Sequence, residues 1–553
     1  MWACTMATTR PMTLGSPDAA PPGRRRLRLG RLADPADRAR RADLPSLVIA
    51  LALSLVVVPV DAATWRFVPS VSLAELATDN VNLTPSNAAQ SDFVTQLTPA
   101  LVFSGIGARA YIVGSVSAPI LLYARTGSEN NHVYPIANIL GNVEAIEKWF
   151  YVDGAISITQ PFLSPFGAQP AGLTNGTENR YTQETYRISP YITGTMPGSV
   201  KYELRNNNYW SNTSGTTITT SDSGIPLTTN NSYTTEWSAK IESPIAPLGW
   251  AAHADAVDVK FGNQAAQRMN LITAGPKYAY TPQIRLALIA GYENNEFPFS
   301  SYTGGVYGGG IEWHPTERTS LVANVEHRFF GTSYLLTFDH RTPLSVWSAS
   351  ATRGITTYAQ QLAAATGTSS VTGLLNQLFV SRIPDPIERR DAVADFMLRQ
   401  NLPASIGTPV NSYSEQVLLT ENVNASAGLL GARNSVFVTM YYLRTEPISG
   451  AGTVLPPTLA AQNNNTQTGI SIIWSHNLTR TAVLNLTGFA TRTRANAPLT
   501  GETNQGGARV DLVLPLSPHT TFITGVRYQS LSSNVTTGYS EAAVFAGLTY
   551  AFR

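Results

Sequence analysis

In Glu541-Ala542-Ala543-Val544-Phe545-Ala546-Gly547-Leu548-Thr549-Tyr550-Ala551-Phe552 every second residue is apolar. Ala542, Val544, Ala546, Leu548, Tyr550 and Phe552 form one face, and Glu541, Ala543, Phe545, Gly547 and Thr549 form a small or mixed one. A period of two places alternate side chains on opposite faces of an extended strand. The same alternation runs through Thr468–Ser475, Arg509–Leu514 and Ser320–Phe329. Strands with one apolar and one polar or small face fit a transmembrane β-barrel, in which every backbone group is paired and no edge meets lipid. A soluble β-sandwich alternates in the same way, so the connections must decide.

They alternate in length. Tight turns read from the sequence are Gly105-Ile106-Gly107, Glu147-Lys148, Met196-Pro197-Gly198, Thr281-Pro282, Trp313–Thr319, Gly431-Ala432-Arg433, Ser475–Thr481 and Leu516–Thr521. Between them lie polar connections rich in Asn, Ser, Thr and Gly, at 79–91, 163–178, 213–231, 447–465 and 495–505. Short turns on one rim and long loops on the other are the habit of outer-membrane barrels. The expectation is therefore an all-β fold, an antiparallel up-and-down transmembrane barrel of about 22 strands, with 18 to 24 acceptable. Both termini then fall on the periplasmic side, and the stretch Tyr334–Tyr358 is split at His340-Arg341-Thr342-Pro343 to close the parity.

Composition agrees. Of 553 residues 43% are hydrophobic and only 13% are charged, and mean hydropathy is -0.05. The 9 Trp, 23 Tyr and 19 Phe are too many for a solvated coil. No apolar run after residue 60 is long enough for a spanning helix, which needs about 20 residues. Cys4 is the only cysteine, so disulfides and Cys-ligated metals are excluded.

Residues 1–62 read as a cleavable signal peptide with a long basic n-region, Arg24–Arg41, and an apolar core, Leu47–Val58. Nine of the 38 basic and five of the 36 acidic residues lie there, so the remainder is nearly balanced. No basic stripe suggests nucleic acid. The first part of the barrel is expected over 63–358 and the remainder over 411–553. Between them, 359–410 breaks the period. Leu374–Val380 and Pro384–Gln400 read as helical, with Asp385 as cap, Pro386 in the first turn and Ile387, Arg389, Arg390 and Phe396 following. A loop this long is functional or disordered; it is expected to be a lid or a lumen plug. It is also the only lumen closure visible in the sequence.

The ending Gly547-Leu548-Thr549-Tyr550-Ala551-Phe552-Arg553 resembles the C-terminal insertion signal of outer-membrane barrels, carried by Gly547, Tyr550 and Phe552. It departs from that pattern at Phe545 and Arg553. The resemblance implies the barrel-assembly machinery and periplasmic chaperones as biogenesis partners, and outer-membrane lipid as surroundings. Further runs resemble the outer-membrane proteins associated with the PEP-CTERM/exosortase sorting system. These are Trp65–Leu73, Thr78–Leu83, Ser91–Pro99, Ser164-Pro165-Phe166-Gly167 and Ser345–Ser350. That resemblance implies a Gram-negative outer membrane and a link to exopolysaccharide production, with polysaccharide or export-system proteins as partners. It brings no catalytic residues.

Catalysis finds no support in motifs: no His-Glu-x-x-His, Gly-x-Ser-x-Gly or phosphate-cradling loop occurs. Tyr181–Tyr186 resembles a strand of outer-membrane phospholipase, but the His-Ser segment is missing. A barrel-embedded hydrolase is the least favoured reading, and neither cofactor nor metal is expected. His314, His476 and His519 read as turn residues. Glu326, Arg328, Asp339 and Arg341 share the predicted lumenal face, as either a charged contact patch or an ion-pair ladder that holds register. Trp149, Trp237, Trp250, Trp313, Trp347 and Trp474 read as an interfacial girdle. The favoured function is a non-enzymatic conduit or docking barrel for exopolysaccharide export; the alternative is a general diffusion porin or solute uptake channel.

Overall fold

Strands with one polar face can pair all their backbone groups only with one another, and here they do so in a single antiparallel sheet of 24 segments. The computed structural model describes residues 64–214, 218–219, 226–227, 231–262, 266–298, 300–364, 371–400, 402–403, 409–411, 414–448 and 461–552. The expected signal peptide, 1–62, and Arg553 lie outside the described residues. Two staves are each broken in two. Ala110–Ser117 continues as Ile120–Tyr123, and His132–Val133 as Ile136–Ile146, which leaves 22 staves. The strand Thr64–Thr78 pairs with Asp92–Ile106 on one side and with the last strand, Tyr539–Ala551, on the other. Val71 faces Tyr550 and Leu73 faces Leu548 across that seam, so the barrel is closed and no edge is exposed.

The register sorts the two faces. Leu288 (66% exposed), Tyr307 (62%), Ile272 (57%) and Phe67 (56%) stand on the outside, an arrangement water would penalise and a bilayer rewards. Lys277, Glu293, Arg328 and Arg527 occupy the other parity and pair with carboxylates or guanidinium groups inside. Turns of a few residues at 107–109, 147–149, 197–199, 317–318, 342–344 and 431–433 share one rim. The opposite rim carries 79–91, 160–181 and 357–417. At 197–199, Gly198 (φ +82°) and Ser199 (φ +60°) take the left-handed conformation that reverses the chain in three residues.

Exposed Trp65, Trp149, Trp250, Trp313 and Trp347 all lie beside the short-turn rim, as an interfacial girdle requires. Trp237 departs from the expectation. It sits in the middle of Ser232–Glu242 rather than at its end, and it faces outward. Tyr550 and Phe552 stack edge-to-face at 4.8 Å on the same rim, and Gly547 lies against Ala74 across the seam.

If the outer face meets hydrocarbon, Ile272→Arg, near the middle of Gln267–Ala279, will cost roughly 2–4 kcal/mol. Urea unfolding from phospholipid vesicles measures it; an unshifted midpoint would mean that this face does not contact lipid.

Candidate functional site

Between Ser345–Thr356 and Leu418–Leu430 the chain leaves the wall and forms three helices, Tyr358–Ala364, Val371–Phe379 and Pro386–Gln400. The first was not foreseen; the other two match the expected segments within a few residues. Local chemistry explains their starts. Gln360 Oε1 accepts from the Thr357 amide at 3.0 Å while the Thr357 hydroxyl accepts from the Gln360 amide at 3.3 Å, a reciprocal cap. Asp385 Oδ1 accepts from the Glu388 amide at 2.8 Å, and Pro386 follows with the φ a first turn needs. Arg389 donates to the carbonyls of Ile383 and Pro384, both at 2.9 Å, and to Asn376 at 2.6 Å, tying the third helix to the second. Phe396 meets Phe379 edge-to-face at 5.9 Å. Ile387 belongs to the third helix, but its side chain lies outside the described residues.

These helices do not stay at the rim from which they arise. Leu374, Leu375, Leu378 and Val393 are buried in one cluster with Val346, Phe437 and Ile473. Those three wall residues lie on the lumenal side, a few positions from the short turns. Polar ties accompany the cluster. Gln377 Nε2 donates to Asp339 Oδ1 at 3.2 Å, Gln400 Nε2 to Asn477 Oδ1 at 3.2 Å, and Ser475 Oγ to Gln400 Oε1 at 2.9 Å. The insert thus runs through the lumen from the long-loop rim to the short-turn rim. Each aliphatic side chain fully buried there contributes about 1.5–3 kcal/mol.

Six staves round the wall from Phe437 the contact is of another kind. Arg66 reaches Asp391 at 3.9 Å and Asp395 at 3.7 Å, and all three side chains remain about a third to a half exposed. The Arg390 guanidinium lies 5.3 Å from the centre of the Tyr111 ring. Exposed ion pairs of this geometry contribute about 0–1 kcal/mol each. The insert is anchored to one wall and merely pinned to the other.

A second segment also turns inward, which corrects the reading of 163–178 as an external polar loop and of 359–410 as the sole closure. Asn175, fully buried, accepts from Arg527 Nη2 at 2.9 Å and from Gln529 Nε2 at 3.1 Å. Arg527 pairs with Glu541 at 2.7 Å, and Thr78 donates to the same carboxylate at 2.8 Å. The Ala171 amide donates to Gln529 Oε1 at 3.0 Å, and Tyr123 OH to the Thr174 carbonyl at 3.1 Å. Arg180 lies between the rings of Tyr134 and Phe162, and burial pulls its guanidinium below the usual value. The two inserts then touch: the hydroxyls of Tyr181 and Tyr358 meet among Leu163 and Leu362, and burial pushes the Tyr358 phenol up. Asn, Gly and Pro carry no hydrophobic period, so the segment looked solvated. The signal available was Arg527 and Glu541, charges on the lumenal parity of the last hairpin.

The charged constellation of Glu326, Arg328, Asp339 and Arg341 does face the lumen but does not come together. The hairpin pairs Glu326 with Ser333 and Asp339 with Ser320, six residues apart along the strand, or about 20 Å. Neither the contact patch nor the ion-pair ladder exists. Arg328 instead reaches across the one intervening strand, Ser300–Thr316, to Glu293 (2.7 Å), Asp339 holds the insert through Gln377, and Arg341 donates to the Glu317 carbonyl at 3.2 Å. His327 and His340 point outward beside Tyr307 and Trp347. His314, His476 and His519 border short turns. Among the described residues, no group of three or more His, Cys, Asp or Glu could hold a metal ion.

No protein-family model matches this chain, and no curated protein matches it. Solved structures do resemble it. The siderophore receptor PirA from Acinetobacter baumannii shows 10% identity over 88% of this chain and 80% of its own, with a TM-score of 0.43. The FrpB iron transporter from Neisseria meningitidis shows 8% over 88% and 82%, with 0.45. The outer membrane protein opdK from Pseudomonas aeruginosa shows 7% over 88% and 99%, with 0.33. At these identities and TM-scores, nothing about cargo passes from them to this chain.

Glu541→Ala would leave Arg527 buried beside Asn175 without its carboxylate, a change that costs about 3–5 kcal/mol where a buried pair is broken. Limited trypsin digestion should then cut after Arg180 at least tenfold faster. An unchanged digestion rate would mean that 160–181 is held by something else.

Proposed function

We propose that the protein is an outer-membrane channel, kept closed by its own helical insert and opened when that insert leaves the pinned wall. The supporting observation is the asymmetric seat of the helices, with an apolar anchor at Val346, Phe437 and Ile473 and an exposed ion pair at Arg66. Opening then needs only the weak contact to break, while the anchor keeps the insert attached. In this reading the short turns and both termini are periplasmic and the long loops face outward. Small polar solutes pass along a wall whose charges, such as Lys277 with Glu242 and Arg205 with Asp153, set selectivity.

The test is single-channel recording in planar bilayers. Deletion of 371–400 should raise conductance severalfold. Arg66→Glu should raise the open fraction without altering the conductance of the open state, and 1 M salt should do the same to the wild type by screening the pair. Equal conductance with and without the helices would dismiss the gate.

A conduit for exopolysaccharide is the second reading. It draws on the resemblance to PEP-CTERM-associated outer-membrane proteins and on the occupied lumen, which suits a guarded passage. A knockout separates the two. Lost surface polysaccharide with normal small-solute uptake favours the conduit; slowed uptake with normal polysaccharide favours the channel.

A further inference from the structure

On the outer face of the strands Asn465–Asn477, Val483–Ala495, Glu502–Pro515 and Thr520–Ser533, the register aligns Ile470, Ala490, Gly506 and Ser530 in one row. The next row toward the long-loop rim aligns Thr468, Arg492, Asn504 and Ser532. The small residues leave a groove of about 610 Å³, walled by Met440 and Ile470 and closed toward the rim by Arg492. The space is open: a Cβ on Gly506 would meet nothing nearer than the Phe489 carbonyl oxygen, at 3.4 Å.

Three arginines crown this groove on the lipid-facing parity. Arg492 and Arg494 flank Glu502 at 2.7 and 2.9 Å, and Arg444, beside them in the register, pairs with Glu446. All three guanidinium side chains stay roughly half exposed. Glu421, opposite Arg444, and Arg353, opposite Glu421, continue this outward row, so four cations stand against three carboxylates and leave a positive surplus where the apolar face ends. Another outward cluster on the same rim, Arg268 and Lys260 with Asp258 and Glu296, is evenly balanced. A planar guanidinium at a membrane interface is suited to phosphate, which it can bind through two parallel hydrogen bonds.

We propose that this groove retains one anionic, phosphorylated lipid from the leaflet at the long-loop rim. A hydrocarbon chain lies over Ala490 and Gly506, and the phosphate meets Arg492 and Arg494. The assignment rests on the membrane-spanning reading above, but not on the gate.

Native mass spectrometry of the full barrel, mixed with lipid A or with zwitterionic phosphatidylethanolamine, tests it. Wild type should hold lipid A one-to-one at concentrations where phosphatidylethanolamine stays free. The double variant Arg492→Gln/Arg494→Gln and the groove-filling Gly506→Leu should each weaken retention at least tenfold, while Arg268→Gln should not. Equal retention by wild type and both groove variants, equal retention of the two lipids, or an equal loss in Arg268→Gln would overturn the site. Heat-modifiable gel mobility confirms that each barrel is folded. A folded wild type that enters vesicles but holds no lipid A sinks the groove alone, whereas one that never enters vesicles sinks the membrane reading.

Discussion

A sheet closed over 22 staves encloses more space than its own inward side chains can fill. That geometric surplus is the constraint on which the rest of the molecule depends. Left empty, it would be a wide aqueous hole through the barrel. The chain fills it from the long-loop rim with the segment 160–181 and with the helices Tyr358–Ala364, Val371–Phe379 and Pro386–Gln400, and the two parts meet at Tyr181 and Tyr358. The wall accommodates each by a different chemistry. Where helices dock it presents Val346, Phe437 and Ile473; where irregular chain docks it presents Arg527, Gln529 and Glu541.

The difference has a physical basis. A helix satisfies its own backbone and can offer an apolar stripe, so its seat is hydrophobic and non-directional. Irregular chain brings unpaired amides and carbonyls that must find partners, so its seat is a directional polar network. A hydrophobic seat tolerates small shifts, whereas a network containing a buried ion pair resists any displacement that strands a charge. In the proposed gating the helical insert is accordingly the part that moves, and 160–181 is the fixed part of the closure.

Period two made the wall legible in advance. The alternation in Ser320–Phe329 and in the last strand told which residues face inward, and turn length told the rim for most strands, the two-residue turn at 329–330 on the long-loop rim being an exception. The helices at 371–379 and 386–400 were announced by Asp385-Pro386 and by the loss of alternation. Two things were hidden. Face is readable without register, but height is not, so Glu326 and Asp339 looked like neighbours until pairing through a two-residue hairpin put them at opposite ends. The inward fold of 160–181 was hidden because its contacts join Asn175 to residues more than 350 positions away, and no local pattern encodes such a pairing.

The central claim is that the helices lie inside the barrel against one wall. Cys4 is the only native cysteine and lies within the expected signal peptide, so an introduced pair reports cleanly. With Asp339→Cys and Gln377→Cys, whose native side chains are 3.2 Å apart, oxidation in intact outer membranes should form an intramolecular disulfide. A reductant-sensitive gel shift reveals it, and the cross-linked protein should gate as the wild type does, because the bond lies on the anchored side. No disulfide, with both cysteines open to a bulky maleimide added outside the cell, would contradict the account.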